Sequence, residues 1–276
     1  MLLSIDSGVS ALDQFQQQLN VIGNNIANVN TVGFKSASVD FADTLSESLG
    51  SNAAGSTQVG TGVSIAAINN QFTQGSISST GVNTDLAING NGFFTVKDPT
   101  TGAVYATRDG EFTEDANGYL VTNGGMRLQG YSDAGLTTVG DIKIDSTGAP
   151  STAAAGATAT SFTIDATTGD VNVLLSDGTQ FTRGQILLQS FTNPQQLVKA
   201  GENLYSGLNN AGPLAAAVAP SQSGPGTLSV GAVEMSNVDL ASQLTSLITT
   251  QSAYQANSKV ITTSDNILQT LVNLVR

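Results

Sequence analysis

Side chains able to do chemistry are scarce in this sequence. None of its 276 residues is histidine or cysteine. That removes the commonest general base and metal ligand, and with them thiolate nucleophiles, disulfides and zinc–thiolate sites. A Ser–His–Asp hydrolase is excluded. Ser258 and Lys259 are chain neighbours, but adjacent helical residues do not face each other, so they make a poor Ser–Lys dyad. Asp115, Asn117 and Gly118 form a fragment of a calcium loop. The alternating oxygen ligands and the closing bidentate glutamate are missing, and the stretch reads as a turn. Sequence does not eliminate paired carboxylates for glycoside chemistry, but with aromatics at 5% there is little to build a sugar platform. No catalytic, cofactor or metal residue is assigned, and the chain reads as a non-enzyme.

The most unusual polar string is NNIANVNTVGFK, Asn24 to Lys35. It carries amides and a closing Gly-aromatic-Lys rather than nucleophiles, which suits backbone and side-chain hydrogen bonding. The element before it is a helix. Ile5, Leu12, Leu19 and Ile26 recur every seven residues, and Gly8, Phe15, Ile22 and Val29 form a second line. This is an a/d seam that would span roughly 36 Å. The opposite face is rich in Gln and Asn and nearly uncharged, whereas a solvated helix face usually carries Lys and Glu.

The C-terminal segment mirrors it. Ser236, Asn237 and Asp239 make an N-cap region, after which Leu240, Leu247, Tyr254, Ile261, Leu268 and Val275 recur every seven residues. Leu244, Ile248, Ile267, Leu271 and Leu274 widen the stripe. Two such helices can bury their stripes on each other, as a hairpin within one chain or as a packed layer between copies.

Between them, short β-prone runs such as GFFTV, MRLQGY and DVNVLL alternate with turn signals NGNG (89–92), DANG (115–118), NGG (123–125), TTGD (167–170) and SDGT (176–179). These predict an antiparallel β domain. The fold expected is α+β: a helical, coiled-coil domain from 1–35 and 236–276, connecting segments at 36–62 and 205–235, and a β-rich domain at 63–204 with a short insertion near 132–181. LGSNAAGSTQVG (49–60), PSTAAAGATAT (150–160) and AGPLAAAVAPSQSGPG (211–226) read as linkers.

Net charge is −12, from 21 acidic and 9 basic residues, so nucleic acid is not an expected partner. Charged residues are 11% of the chain against about 25% in ordinary domains, which fits a surface that meets copies of itself. No basic n-region precedes Lys35, so a cleaved signal peptide is not expected. No apolar run reaches the roughly 18 residues of a membrane span.

NNIANVNTVGFK resembles the N-terminal signature of the bacterial flagellar rod and hook proteins, at Asn24, Asn25, Ala27, Asn28, Thr31, Gly33, Phe34 and Lys35. The C-terminal segment resembles the same family, at Asn237, Asp239, Gln251, Tyr254, Asn257 and Lys259. FTQGSISSTGVNTDLAINGNGFFTV and GENLY resemble its β-domain segments. The resemblance implies an axial subunit of a helical tube. Its terminal helices would form an inner coiled-coil layer around an export channel, with β domains outside. It further implies transport through the flagellar type III export apparatus, and contact with adjacent rod and hook–filament junction proteins and with the hook cap. The hook, a flexible joint, is the preferred subunit, and the distal rod is the alternative. In that frame the asparagines would pair with neighbouring subunits, Phe34 would fill a pocket and Lys35 would mark the edge of the helical layer. Residues 36–60 would act as a compliant linker. A secreted β-rich adhesin is a reading from another class.

Overall fold

The computed structural model describes residues 2–52, 55–154, 156–213, 217–221 and 224–274, with side chains from residue 5 on except 47–58. Val275 and parts of the small-residue stretches 150–160 and 211–226 lie outside the described residues. The chain divides into two compact units. One comprises Met1–Val29, Ser36–Gln71 and Val238–Arg276, and the other Asn30–Lys35 and Phe72–Asn237.

In the first unit, helix α1 (Leu2–Ala27) packs on helix α2 (Leu240–Leu274). On α1, Ile22 is buried, and Ile5, Leu12, Phe15, Leu19 and Ile26 are half-buried. Gly8 is buried, and a Cβ there would stand 3.2 Å from Ile261 Cγ1, so glycine permits close helix approach. Asp239 caps α2, its Oδ1 accepting the Ala241 N–H at 3.0 Å.

Within the chain the expected α2 seam is covered only in part. The covered face centres on buried Thr250 and Ser264, with Gln243, Leu247, Asn257, Ile261 and Leu268 half-buried, while Leu240, Leu244 and Tyr254 are exposed. Small polar residues let the helices approach closely. Several hydroxyls on α2, including those of Thr245, Thr250 and Thr270, bond back to the carbonyl four residues earlier. Those side chains are satisfied without a neighbour.

The same unit carries a β ribbon. Strand β1 (Ala37–Asp43) pairs with β4 (Val63–Asn70), and β2 (Ser46–Asn52) with β3 (Gly55–Gly60). Between the pairs, Thr44 N donates to Gly62 O at 3.0 Å and the Thr44 and Thr61 hydroxyls meet at 2.8 Å. Residues 36–62, expected as a connection, are therefore mostly strand. Cross-strand partners Val39↔Ile68 and Phe41↔Ile65 set the register, and Phe41 packs edge-on against Phe15.

The second unit is antiparallel β. Its strands are β5 (Ile77–Ser79), β6 (Leu86–Asn89), β7 (Phe93–Lys97), β8 (Val104–Thr107), β9 (Phe112–Glu114), β10 (Leu120–Thr122), β11 (Arg127–Tyr131) and β12 (Val139–Asp141). They continue with β13 (Ala159–Ile164), β14 (Asp170–Leu175), β15 (Gln180–Ile186), β16 (Leu188–Gln189), β17 (Val198–Gly201), β18 (Leu204–Ser206), β19 (Thr227–Val230) and β20 (Ala232–Glu234). The main sheet runs β13-β14-β15-β11-β7-β8-β18-β17. Strands β19 and β20 pair with β6 and β5. The segment 205–235, expected as a connection, thus closes the β unit.

Strand β7 shows why its sequence is doubly aromatic. Successive strand residues face opposite sides. Phe94 enters a cluster with Phe112, Leu128 and Ile186, while Phe93 enters a second with Phe191, Leu197 and Tyr205. Phe93 meets Phe72, Phe191 and Tyr205 in T-shaped contacts. The turns between strands repeat one device, an aspartate accepting the N–H two residues on: Asp98 from Thr100, Asp115 from Asn117, Asp165 from Thr167 and Asp177 from Thr179. The Asp115 oxygens thus serve a turn.

Candidate assembly site

The twelve-residue signature is divided between the two units. Its first half ends α1. Asn28 Nδ2 donates to Asn24 O at 2.9 Å and Asn28 N reaches the same carbonyl at 3.2 Å, closing the last turn. Asn24 and Ala27 are exposed. Asn25 is buried and grips the backbone of Ala37 at both amide ends, Nδ2 to Ala37 O at 2.8 Å and Oδ1 from Ala37 N at 3.0 Å. Its Nδ2 also reaches Gln243 Oε1 at 3.2 Å. The expectation that this amide serves a neighbouring subunit is corrected, since it ties α1, α2 and the start of β1 together.

The second half belongs to the β unit. Gly33 takes a left-handed φ of 68° and donates to Glu234 O at 2.7 Å. A Cβ there would stand 2.6 Å from Asp109 N, so only glycine fits. Phe34 N donates to Thr31 O at 3.3 Å. Phe34 is buried, with Lys199 Nζ 4.4 Å from its ring centroid, and the same ammonium donates to Lys35 O at 2.8 Å. Burial lowers the Lys199 pKa.

Lys35 is fully buried rather than at an edge. Its Nζ donates to Glu234 Oε1 at 2.7 Å and Thr73 O at 2.8 Å. Glu234 Oε2 accepts from Arg108 at 3.1 Å, and Gly75 N donates to Oε1 at 2.8 Å. Arg108 also donates to Gly90 O at 2.9 Å and lies over the Phe93 ring. Its Nε is buried and has no hydrogen-bond partner among the described residues. Burial lowers the pKa of both Lys35 and Arg108, and the Glu234 charge opposes that shift. Burial also pushes the nearby Tyr205 phenol above its ordinary value.

The sequence reading missed Arg108 and Glu234. One signal was present: in a chain with so few charges, each lies at the end of a β-prone run, in YATRDG and GAVEMS.

Two acids of this unit titrate in opposite windows. Burial raises the Asp109 pKa to about 6, reinforced by Glu111 and opposed by bonds from the Glu111 N–H and Asn203. Its folded pKa is raised, so its contribution is present below pH 3.8 and lost as pH climbs through about 6. For Asp145, burial pushes upward, but bonds from Arg183, Lys143 and Thr147 outweigh it and hold the pKa at about 2. That contribution is present above pH 3.8 and lost as pH falls toward 2. Chemical denaturation across pH should show Asp109→Asn abolishing a decline from pH 4 to 6, and Asp145→Asn flattening the acid limb. Unchanged profiles in both variants contradict the assignment.

Family models match three segments. Residues 5–35 match the flagella basal body rod protein, residues 87–173 the flagellar hook protein FlgE/F/G D1 domain, and residues 229–274 the flagellar basal body rod FlgEFG protein C-terminal. The flagellar basal-body rod protein FlgG of Bacillus subtilis is 42% identical over 284 residues, spanning 100% of both chains. The chain belongs to the flagellar rod and hook protein family. It is a structural subunit of the flagellar axis.

FlgG of Buchnera aphidicola subsp. Acyrthosiphon pisum is 37% identical, over 99% of this chain and 100% of that one. The flagellar hook protein FlgE of Helicobacter mustelae is 42% identical over 154 residues, 52% of this chain and 34% of the hook protein. The family match also frames the ion network: each of the three matched segments supplies one member, Lys35, Arg108 and Glu234.

Proposed function

We propose that this chain is a distal-rod subunit that polymerises with copies of itself and joins adjacent axial proteins. The observation that carries the reading is end-to-end likeness to FlgG, against coverage of only a third of a hook protein. The hook preference gives way to this full-length argument. The ribbon supports the same choice. Within residues 36–60, first taken as a compliant hinge, 37–43, 46–52 and 55–60 are hydrogen-bonded strands, and a paired ribbon resists bending better than a Gly/Ser coil.

The helical ends carry assembly in this proposal. Leu244 and Ile248 are 49% and 61% exposed, and Ile267, Leu271 and Leu274 are also exposed. Such a stripe along one helix calls for cover, and a coiled-coil layer of neighbouring α1 and α2 helices supplies it. Export through the type III apparatus belongs to the same reading.

Electron microscopy of polymers from the purified chain tests both parts. Straight tubes are expected, and regularly curved ones would return the choice to the hook. Leu244→Asp should leave monomer melting unchanged, because the residue is exposed, and abolish polymers, because a charge enters a packed layer. Normal polymers from that variant contradict the helical interface.

A further inference from the structure

Four asparagines in the β unit precede glycine: Asn89, Asn91, Asn117 and Asn123. At such a pair the glycine nitrogen can attack the asparagine side-chain carbonyl, since no Cβ shields it. The attack needs an N–H free to give up its proton, and a donating N–H is held by its acceptor. Three are held. Gly90 N donates to Gln74 Oε1 at 3.2 Å, Gly92 N to Pro225 O at 2.6 Å and Gly118 N to Asp115 O at 2.9 Å. The Gly124 N–H makes no hydrogen bond among the described residues.

The surroundings of Asn123 favour the reaction. It is exposed in the turn joining β10 to β11, and its amide is tied by one 3.3 Å bond to Glu111 Oε2. A cleft of about 280 Å³ brings Asn123 and Gly124 beside Glu202 and Asp109. Glu202 and Asn203 form the β17–β18 turn with left-handed φ values of 51° and 56°. Glu202 Oε2 occupies the place a Cβ on Gly124 would take. Two successive non-glycine residues at positive φ are uncommon, and here they set a carboxylate beside Gly124.

We propose that Asn123 is a self-modifying site with Glu202 as its base. The Glu202 carboxylate, beside Gly124 but not bonded to its N–H, turns onto that N–H and accepts its proton as the nitrogen attacks Asn123 Cγ. A C–N bond forms, the Cγ–Nδ2 bond breaks, and Nδ2 leaves as ammonia with the proton returned. Water then opens the succinimide at either carbonyl, giving aspartate or isoaspartate. The product sets a new carboxylate against Glu111, where an amide had donated, so each subunit gains negative charge and a looser turn with age.

Asn117 and Asn123 share one tryptic peptide, residues 109–127, so fragmentation mass spectrometry reads both sites together. In the folded full chain at neutral pH, conversion at Asn123 should outpace that at Asn117, and denaturant should bring the two rates together. Glu202→Gln should slow Asn123 by about a hundredfold or more, the scale of a positioned base, with unchanged circular dichroism. If that variant fails to fold, Glu202→Asp, whose carboxylate is drawn back from Gly124, should slow it likewise. Equal rates at the two asparagines in the folded chain overturn the site. An Asn123 rate unmoved in the folded Glu202 variant overturns the base.

Discussion

Glu234→Ala is expected to lower the thermal midpoint of the β unit by roughly 10 °C. Removing one partner of a buried ion pair costs about 3–5 kcal/mol, and each kcal/mol moves the midpoint by about 2–4 °C at this size. The cost is high here because Glu234 holds two cations at once, Lys35 at 2.7 Å and Arg108 at 3.1 Å, all fully buried. Its loss strands both, together with the Gly75 N–H. Lys35→Met should cost less, since Glu234 keeps Arg108 and Gly75. Joint replacement of all three by apolar residues should cost less than Glu234→Ala alone, because no uncompensated charge remains. Calorimetry of the four proteins checks the order, and a Glu234→Ala midpoint within about 2 °C of the parent, well under the buried-pair cost, would show the network to be incidental.

Gly33→Ala is expected to destabilise the same unit by several kcal/mol. Part is conformational: a left-handed residue with a Cβ costs about 1–2 kcal/mol. The larger part is steric. The new Cβ would stand 2.6 Å from Asp109 N and 2.7 Å from Arg108 C, and these are backbone atoms that cannot rotate away. Relief requires shifting residues 31–35, which breaks the 2.7 Å bond from Gly33 N to Glu234 O and disturbs Lys35. Gly125→Ala is the control. Its φ is 80°, but no atom lies within 4 Å of the added Cβ, so it carries only the conformational part. Urea denaturation midpoints should separate the two variants clearly, and equal losses would remove the steric argument.

Both expectations concern one place, where the end of the signature meets the strand before α2. The signature was legible, yet its physical meaning changed on folding. Gly33 keeps the role its type implies, a left-handed turn at close approach. Lys35 and Asn25 do not. Their polar ends looked available to other subunits, but both are satisfied within the chain. A polar side chain looks the same in sequence whether its partner lies in the same molecule or in another.

Periodicity, cap residues and turn signals determined the two helices, the Asp239 cap and the antiparallel character of the middle, because these depend on neighbours a few residues apart. Charge, hydropathy and the missing histidine and cysteine constrained the chemistry equally locally. Tertiary structure decided the rest. It paired 37–43 with 63–70 and 46–52 with 55–60, through pairs such as Val39↔Ile68, and folded 227–234 into the β unit. It turned Thr250 and Ser264, rather than Leu240 and Leu244, toward α1. It also joined Lys35, Arg108 and Glu234 from positions up to 199 residues apart. Each outcome is a choice among distant partners of similar local fitness, made by the packing of the whole chain and recorded in no short window of its sequence.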